Sequence, residues 1–122
     1  MDEKFDPERS VAALLELAVE SWRFQKLFNK ALTKLDAHEA TRFTNQHRYF
    51  VKKIDECLNV TGLRLVSIEG QTFDVGAAAT ALNVADFGPD DHVVVDQMIE
   101  PIIMSEQGVL RTGTVMLRKA EQ

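Results

Sequence analysis

From Leu14 onward, apolar residues recur at alternating intervals of three and four: Leu14, Leu17, Phe24, Phe28, Ala31 and Leu35, with Ser21 as the polar member of the series. That period matches one face of an α-helix and is the seam along which helices pack. Leu15, Ala18 and Trp22 widen the stripe on one flank, beyond what a two-stranded coil covers, so the pattern predicts a bundle. Pro7 fits a first helical turn and Ser10 can accept a backbone N–H, which places the start of the helix near residue 10. The periodicity hesitates at Asp36-Ala37-His38-Glu39, a capping-box variant with Asp in the capping position and Glu three residues on. A second stripe follows: Phe43, His47, Phe50, Ile54 and Cys57 or Leu58. The spacing predicts two helices, over about 10–35 and 38–60, with one bent continuous helix as the alternative.

Beyond Thr61 the pattern changes. No Gly or Pro stands between Glu8 and Thr61, whereas all six glycines and two of the three prolines follow. Gly62 can supply the left-handed residue that ends a helix. Leu63 to Ile68 then reads as a strand closed by Glu69-Gly70, Thr80 to Phe87 as another, and Gly88-Pro89-Asp90-Asp91 as a turn. Val93 opens an apolar stretch that runs through Ile102-Ile103-Met104. Pro101 has no N–H for a ladder and marks an edge, bulge or interruption within it. Ser105-Glu106-Gln107-Gly108 turns the chain into a last strand, Val109 to Arg118. The fold class is α+β: a tail over 1–9, helices over 10–61 forming a dimeric bundle, and a small β-domain over 62–122. The stripe makes Leu14, Leu17, Phe24, Phe28, Leu35, Phe43, Phe50 and Ile54 the expected dimer interface, since four helices from two chains cover what one pair cannot.

Composition narrows the function classes. The 122 residues are 45% hydrophobic and 27% charged, as in an ordinary globular chain. A net charge of −5 lacks the field that nucleic-acid binding requires, and Arg48 with Lys52 and Lys53 is too short a basic cluster to replace it. Cys57 is the single cysteine, so neither an internal disulfide nor a cysteine metal site is expected. The acidic start Met1-Asp2-Glu3-Lys4 lacks the features of a signal peptide, and no window is apolar enough for a membrane span. The expected location is the cytoplasm.

Catalytic chemistry finds no support in the residue pattern. His38, His47 and His92 stand far apart without metal-ligand spacing. His47 lies on an apolar seam and reads as packed or partner-paired. Asp90-Asp91-His92 reads as a polar turn rather than a calcium loop, which alternates its acceptors. Cys57 with His47 has no third orienting group, and Cys57 reads as a buried packing residue. Gly70 to Gly76 lacks the Gly-Lys-Ser/Thr ending of a phosphate loop. No enzyme activity, cofactor or metal is expected.

The C-terminal half carries a recognisable order: Gly62 with Leu65, Phe73-Asp74, Val93 to Val95, Leu110-Arg111, Val115, Leu117 and Lys119. This order resembles the β-domain of the GrpE family, the nucleotide exchange factors of DnaK-type chaperones, and the preceding helices are similar to that family's short bundle helices. The resemblance covers roughly residues 10–119. It implies a homodimer whose β-domain engages a chaperone ATPase domain, with Arg111, Asp74 and Phe73 as partner-binding residues. Family members carry Pro and then His-Glu after the Phe-Asp, where this chain has Val75 and Ala78-Ala79. They also carry Gly-Tyr where this chain has Ile102-Ile103. These departures motivate a second expectation, an adaptor or scaffold that keeps the fold and binds a different protein.

Overall fold

The computed structural model describes residues 5–120; Met1 to Lys4 of the expected tail, and Glu121-Gln122, lie outside them. The chain divides into two compact units, Met1–Leu58 and Asn59–Gln122. The first unit consists of two helices rather than one bent helix: α1, Pro7–Leu32, and α2, Ala37–Val60, whose last two residues pass into the second unit. α1 begins three residues earlier than the Ser10 start. Asp6, not Ser10, is the cap, its Oδ1 accepting from the N–H groups of Glu8 at 3.0 Å and Arg9 at 3.3 Å, with Pro7 in the first turn. Ser10 is one turn inside and donates its hydroxyl to the Asp6 carbonyl. Leu35, expected on the seam, falls in the connection after Leu32.

Asp36 starts α2 as its sequence context predicts, its Oδ1 accepting from Glu39 N–H at 2.9 Å. That backbone hydrogen bond holds the Asp36 carboxyl below its ordinary range. Because the pKa is lowered in the folded chain, the cap contributes fully above the ordinary carboxylate range and is lost as pH falls through the lowered value. The Glu39 amide is therefore expected to lose hydrogen-exchange protection on acidification, and Asp36→Ala should remove that pH dependence. Gly62 ends the helical part in the left-handed region, φ 79°, its N–H donating to the Asn59 carbonyl. No helix of the described residues is long and apolar enough to cross a membrane.

Among the described residues the second unit holds six strands: β1 Arg64–Val66, β2 Ala79–Ala81, β3 Val93–Glu100, β4 Ile102–Ser105, β5 Gly108–Arg111 and β6 Gly113–Lys119. They form two three-stranded sheets, ordered β1-β4-β5 and β2-β6-β3. β3 pairs antiparallel with β6, β4 with β5 and β1 with β4, while β2 runs parallel to β6. β3–β4 and β5–β6 are thus the two arms of one long hairpin that changes sheet at single residues, Pro101 on one arm and Thr112 on the other. Pro101 supplies the expected interruption and is itself buried. The expected last strand over Val109–Arg118 is broken at the matching place. A Cβ at Gly113 would stand 2.8 Å from Met98 Cε and 2.9 Å from the Glu100 carbonyl oxygen, so the arms approach this closely only around a glycine.

Other turns follow their residues. Asp91 Oδ2 accepts from Gly88 N–H at 2.8 Å, closing the Gly88–Asp91 turn. Ser105 Oγ accepts from Gln107 N–H and donates to the Gly108 carbonyl, with Gly108 at φ 120°. The expected strand over Thr80–Phe87 is shorter: β2 ends at Ala81 and a 3-10 turn occupies Val84–Asp86. Between them Asn83 acts as a strand surrogate, its side-chain amide donating to the Leu117 carbonyl and its Oδ1 accepting from Leu117 N–H, both at 2.9 Å. The buried apolar residues of this unit include Leu63, Val95, Met98, Ile102, Ile103, Val115 and Leu117. Ile102 and Ile103, whose exposure the residue pattern leaves open, are therefore core residues.

Candidate functional site: an apolar strand edge and a helical groove

On β5 the chain leaves two neighbouring apolar residues exposed on a sheet edge. β5 is the last strand of its sheet, paired with β4 on one side. Its register shifts between Ile103 and Met104, Ile103 facing Arg111 and Met104 facing Val109, so that Leu110 is the extra residue of a bulge. Val109 and Leu110 are 45% and 50% exposed, an apolar pair on an edge strand, the kind of position where sheets recruit partners. Arg111 beside them is half-buried. Its guanidinium lies 3.8 Å from Glu100 Oε2, and Glu100 Oε1 accepts from the Thr114 hydroxyl at 3.1 Å. The three side chains bracket the bend at Pro101 and Thr112 and orient the arginine there.

Phe73 and Asp74 occupy a different place. Phe73 is half-buried and donates its N–H to the Val93 carbonyl at 3.0 Å, beside the first residue of β3. Asp74 Oδ1 accepts from Gly76 N–H at 2.8 Å and its carbonyl accepts from Ala77 N–H, so this side chain shapes a local turn. Arg111 pairs with Glu100, the last residue of β3. A strand rises about 3.3 Å per residue, so the two ends of β3 are roughly 20 Å apart. The structure does not bring Phe73-Asp74 and Arg111 into one cluster.

The helical unit holds a concave site of its own. Phe28 of α1 stacks on Phe24 and on His47, centroids 6.3 and 6.0 Å apart, and meets Phe43 edge-on at 6.5 Å. His47 Nε2 lies 3.1 Å from the Gln25 carbonyl oxygen and 3.0 Å from Gln25 Oε1. The packed or partner-paired reading of His47 thus takes a definite form. Beside it opens a groove of about 270 Å³ lined by Phe24, Gln25, Phe28, Gln46, His47, Tyr49 and Phe50. Of the eight expected interface residues, Leu14, Phe28, Phe43 and Ile54 are half-buried within the protomer, whereas Leu17, Phe24, Leu35 and Phe50 are exposed. The residues α1 buries fully are Ala18, Val19 and Leu32, a face rotated from the predicted seam. Cys57 is exposed, contrary to the expected packing, and Leu58 takes the buried position at 2% exposure. Leu27 and Tyr49, both more than 60% exposed, belong to the outward apolar surface that the spacing argument did not name.

Asp90 and Asp91 belong to the polar turn described above, Asp91 Oδ1 lying 3.8 Å from Lys119 Nζ, whereas the His92 carbonyl accepts from Ala120 N–H at 2.8 Å beside the β3–β6 pair. Among the described residues no three His, Cys, Asp or Glu side chains converge in a metal-holding group. No protein-family model, curated protein or solved structure matches the chain.

Proposed function

We propose that this chain is a cytoplasmic, dimeric protein-binding factor of GrpE-like type that engages the ATPase domain of a DnaK-type chaperone through its β-domain and accelerates nucleotide release. The observation that carries this reading is the exposure of Val109 and Leu110 on an edge strand beside Arg111, the Leu110-Arg111 pair being one of the family's matched positions. An exchange factor performs no covalent step. It binds the nucleotide-free conformation of its partner more tightly than the nucleotide-bound one, and by linkage weakens nucleotide affinity by the same ratio. The helices supply the dimer and the β-domain supplies the contact. Arginine is among the residues enriched at the centre of such contacts.

Arg111→Ala is expected to weaken binding to an isolated DnaK-type ATPase domain about tenfold, and Leu110→Asp at least as much. Titration calorimetry reads the affinity, and unchanged amide protection in β3 and β6 verifies the fold. Wild-type affinity in both variants would move the contact away from β5. The adaptor reading is favoured by one specific feature: Val75 is fully exposed and Ala78-Ala79 follow where the family carries Pro and His-Glu. Under that reading β5 binds a protein other than a DnaK-type chaperone, and the ATPase domain shows no affinity at all.

A further inference from the structure

We propose that the outer edge of β3 is a covered strand-accepting site: residues 68–73 lie over it as a strap, and an extended segment of a protein partner takes their place. This surface is separate from β5 and does not depend on which protein β5 engages. β3 has eight residues, and β6 pairs with one side of it only. A loop, not a strand, takes the other side. Gly70 N–H donates to the Val95 carbonyl at 2.8 Å, Val95 N–H to the Gln71 carbonyl at 2.9 Å and Phe73 N–H to the Val93 carbonyl at 3.0 Å. Thr72 is bridged antiparallel to Val94 between them. Gly70 and Gln71 thus share Val95, the two-against-one count of a bulge. Further along β3, side chains replace the ladder. Glu69 Oε2 accepts from Met98 N–H at 2.7 Å, and Ile68 N–H donates to Met98 Sδ at 3.1 Å, a thioether being a weak acceptor.

The strap is held more loosely than the edge it covers. Of residues 67–77 none is fully buried; Ile68, Phe73 and Ala77 are half-buried and the others exposed. On β3 itself, Val95 and Met98 are 0% and 1% exposed. A segment with few buried apolar contacts opens locally at a fraction of the cost of unfolding the whole domain. Its attachments allow this: Ser67 follows the last residue of β1, and Asp74 to Ala78 lead into β2, a strand of the other sheet. The strap can therefore lift without unpairing either strand. Lifting it bares the Val93 carbonyl, the Val95 N–H and carbonyl, and the Met98 N–H, all on one side of β3. An edge of that kind pairs with an extended segment of another chain. The strap itself shows what the occupant must offer: antiparallel extended backbone, an aromatic side chain in the place of Phe73 and a carboxylate ahead of it in the place of Glu69. A segment without the bulge meets Val95 with donor and acceptor from one residue, a more regular ladder than the strap provides.

Residue-resolved hydrogen exchange of the full chain, with and without a synthetic peptide of the strap sequence from Ser67 to Val75, tests the proposal. Val94, paired with Arg118, turns its N–H toward β6, because neighbouring strand residues point their backbone groups to opposite sides. The amides of Gly70, Phe73, Val95 and Met98 are expected to exchange together, about tenfold or more faster than that of Val94. Glu69→Ala and Phe73→Ala each loosen the strap. Because apparent affinity scales with the fraction of chains that are open, both variants should bind the peptide about tenfold tighter than the wild-type chain. The bound peptide should restore protection at Val95. Glu69→Ala alters only an exposed side chain and carries the test if Phe73→Ala unfolds the domain. Strap amides that exchange no faster than Val94 would overturn the detachable strap. No peptide binding to a folded variant, binding equal to that of the wild-type chain, or binding that leaves Val95 unprotected would overturn the strand-accepting edge.

Discussion

Exchange of Phe28 for Asp is expected to remove most of the cooperative unfolding transition of the helical unit. Phe28 is the ring on which Phe24, Phe43 and His47 converge, two of them from the facing helix. Deleting a packed phenylalanine costs about 3 kcal/mol or more, and a carboxylate left in its apolar place adds desolvation. Against a total stability of about 5–15 kcal/mol, that loss is large. The contrast is Phe24→Asp, one turn away but 61% exposed. Under the proposed dimer it should leave helical content nearly unchanged while shifting the sedimenting species from twice 13.7 kDa to 13.7 kDa. If Phe24→Asp leaves the dimer intact, the outward face of α1 is not the interface.

The second large effect is expected in the β-domain. Gly113→Val places a branched side chain where even a Cβ meets Met98 Cε at 2.8 Å, the Glu100 carbonyl oxygen at 2.9 Å and Ile102 Cγ1 at 3.0 Å. Met98 can yield, but the carbonyl is backbone and Ile102 is 4% exposed within the core. Overpacking at such a site costs about 1–3 kcal/mol, and the arms of the long hairpin must part at their bend. Trp22 and Tyr49 both lie in the helical unit, so the readout is hydrogen exchange at the amides of β3 and β6 rather than intrinsic fluorescence. Those amides should lose protection together. Gly88→Ala, whose Cβ would make ordinary contact with Asp91 Oδ2 at 3.8 Å, should change protection little.

Features that depend on one residue's own chemistry were legible in the residue pattern. Gly62 ends the helices, Asp36 caps α2 through Glu39, and Pro101 breaks the long apolar run because it has no N–H to give. Features set by a partner distant in sequence were not. Nothing local to Thr112-Gly113 marks the second sheet change, which is imposed by Met98, Glu100 and Ile102 on the other arm. Asn83 looks like a loop asparagine until Leu117 is placed beside it. On α1, apolar residues occupy more than one face. Spacing alone therefore cannot separate Ala18, Val19 and Leu32, which are buried within the protomer, from Leu17 and Phe24, which are left outside it. The Leu110-Arg111 pair is plain in the sequence; its position beside a bulge on an edge strand required the register of β4 and β5.

The proposed activity is nucleotide exchange, and nucleotide release measures it without intermediaries. A DnaK-type chaperone from the same cell is loaded with a fluorescent nucleotide, and its dissociation is followed by stopped flow as the full chain is added. Acceleration that saturates with concentration, and that Arg111→Ala shifts about tenfold toward higher concentration, is the predicted result. Release that stays at its unassisted rate at tens of micromolar, with no complex formed, would contradict it.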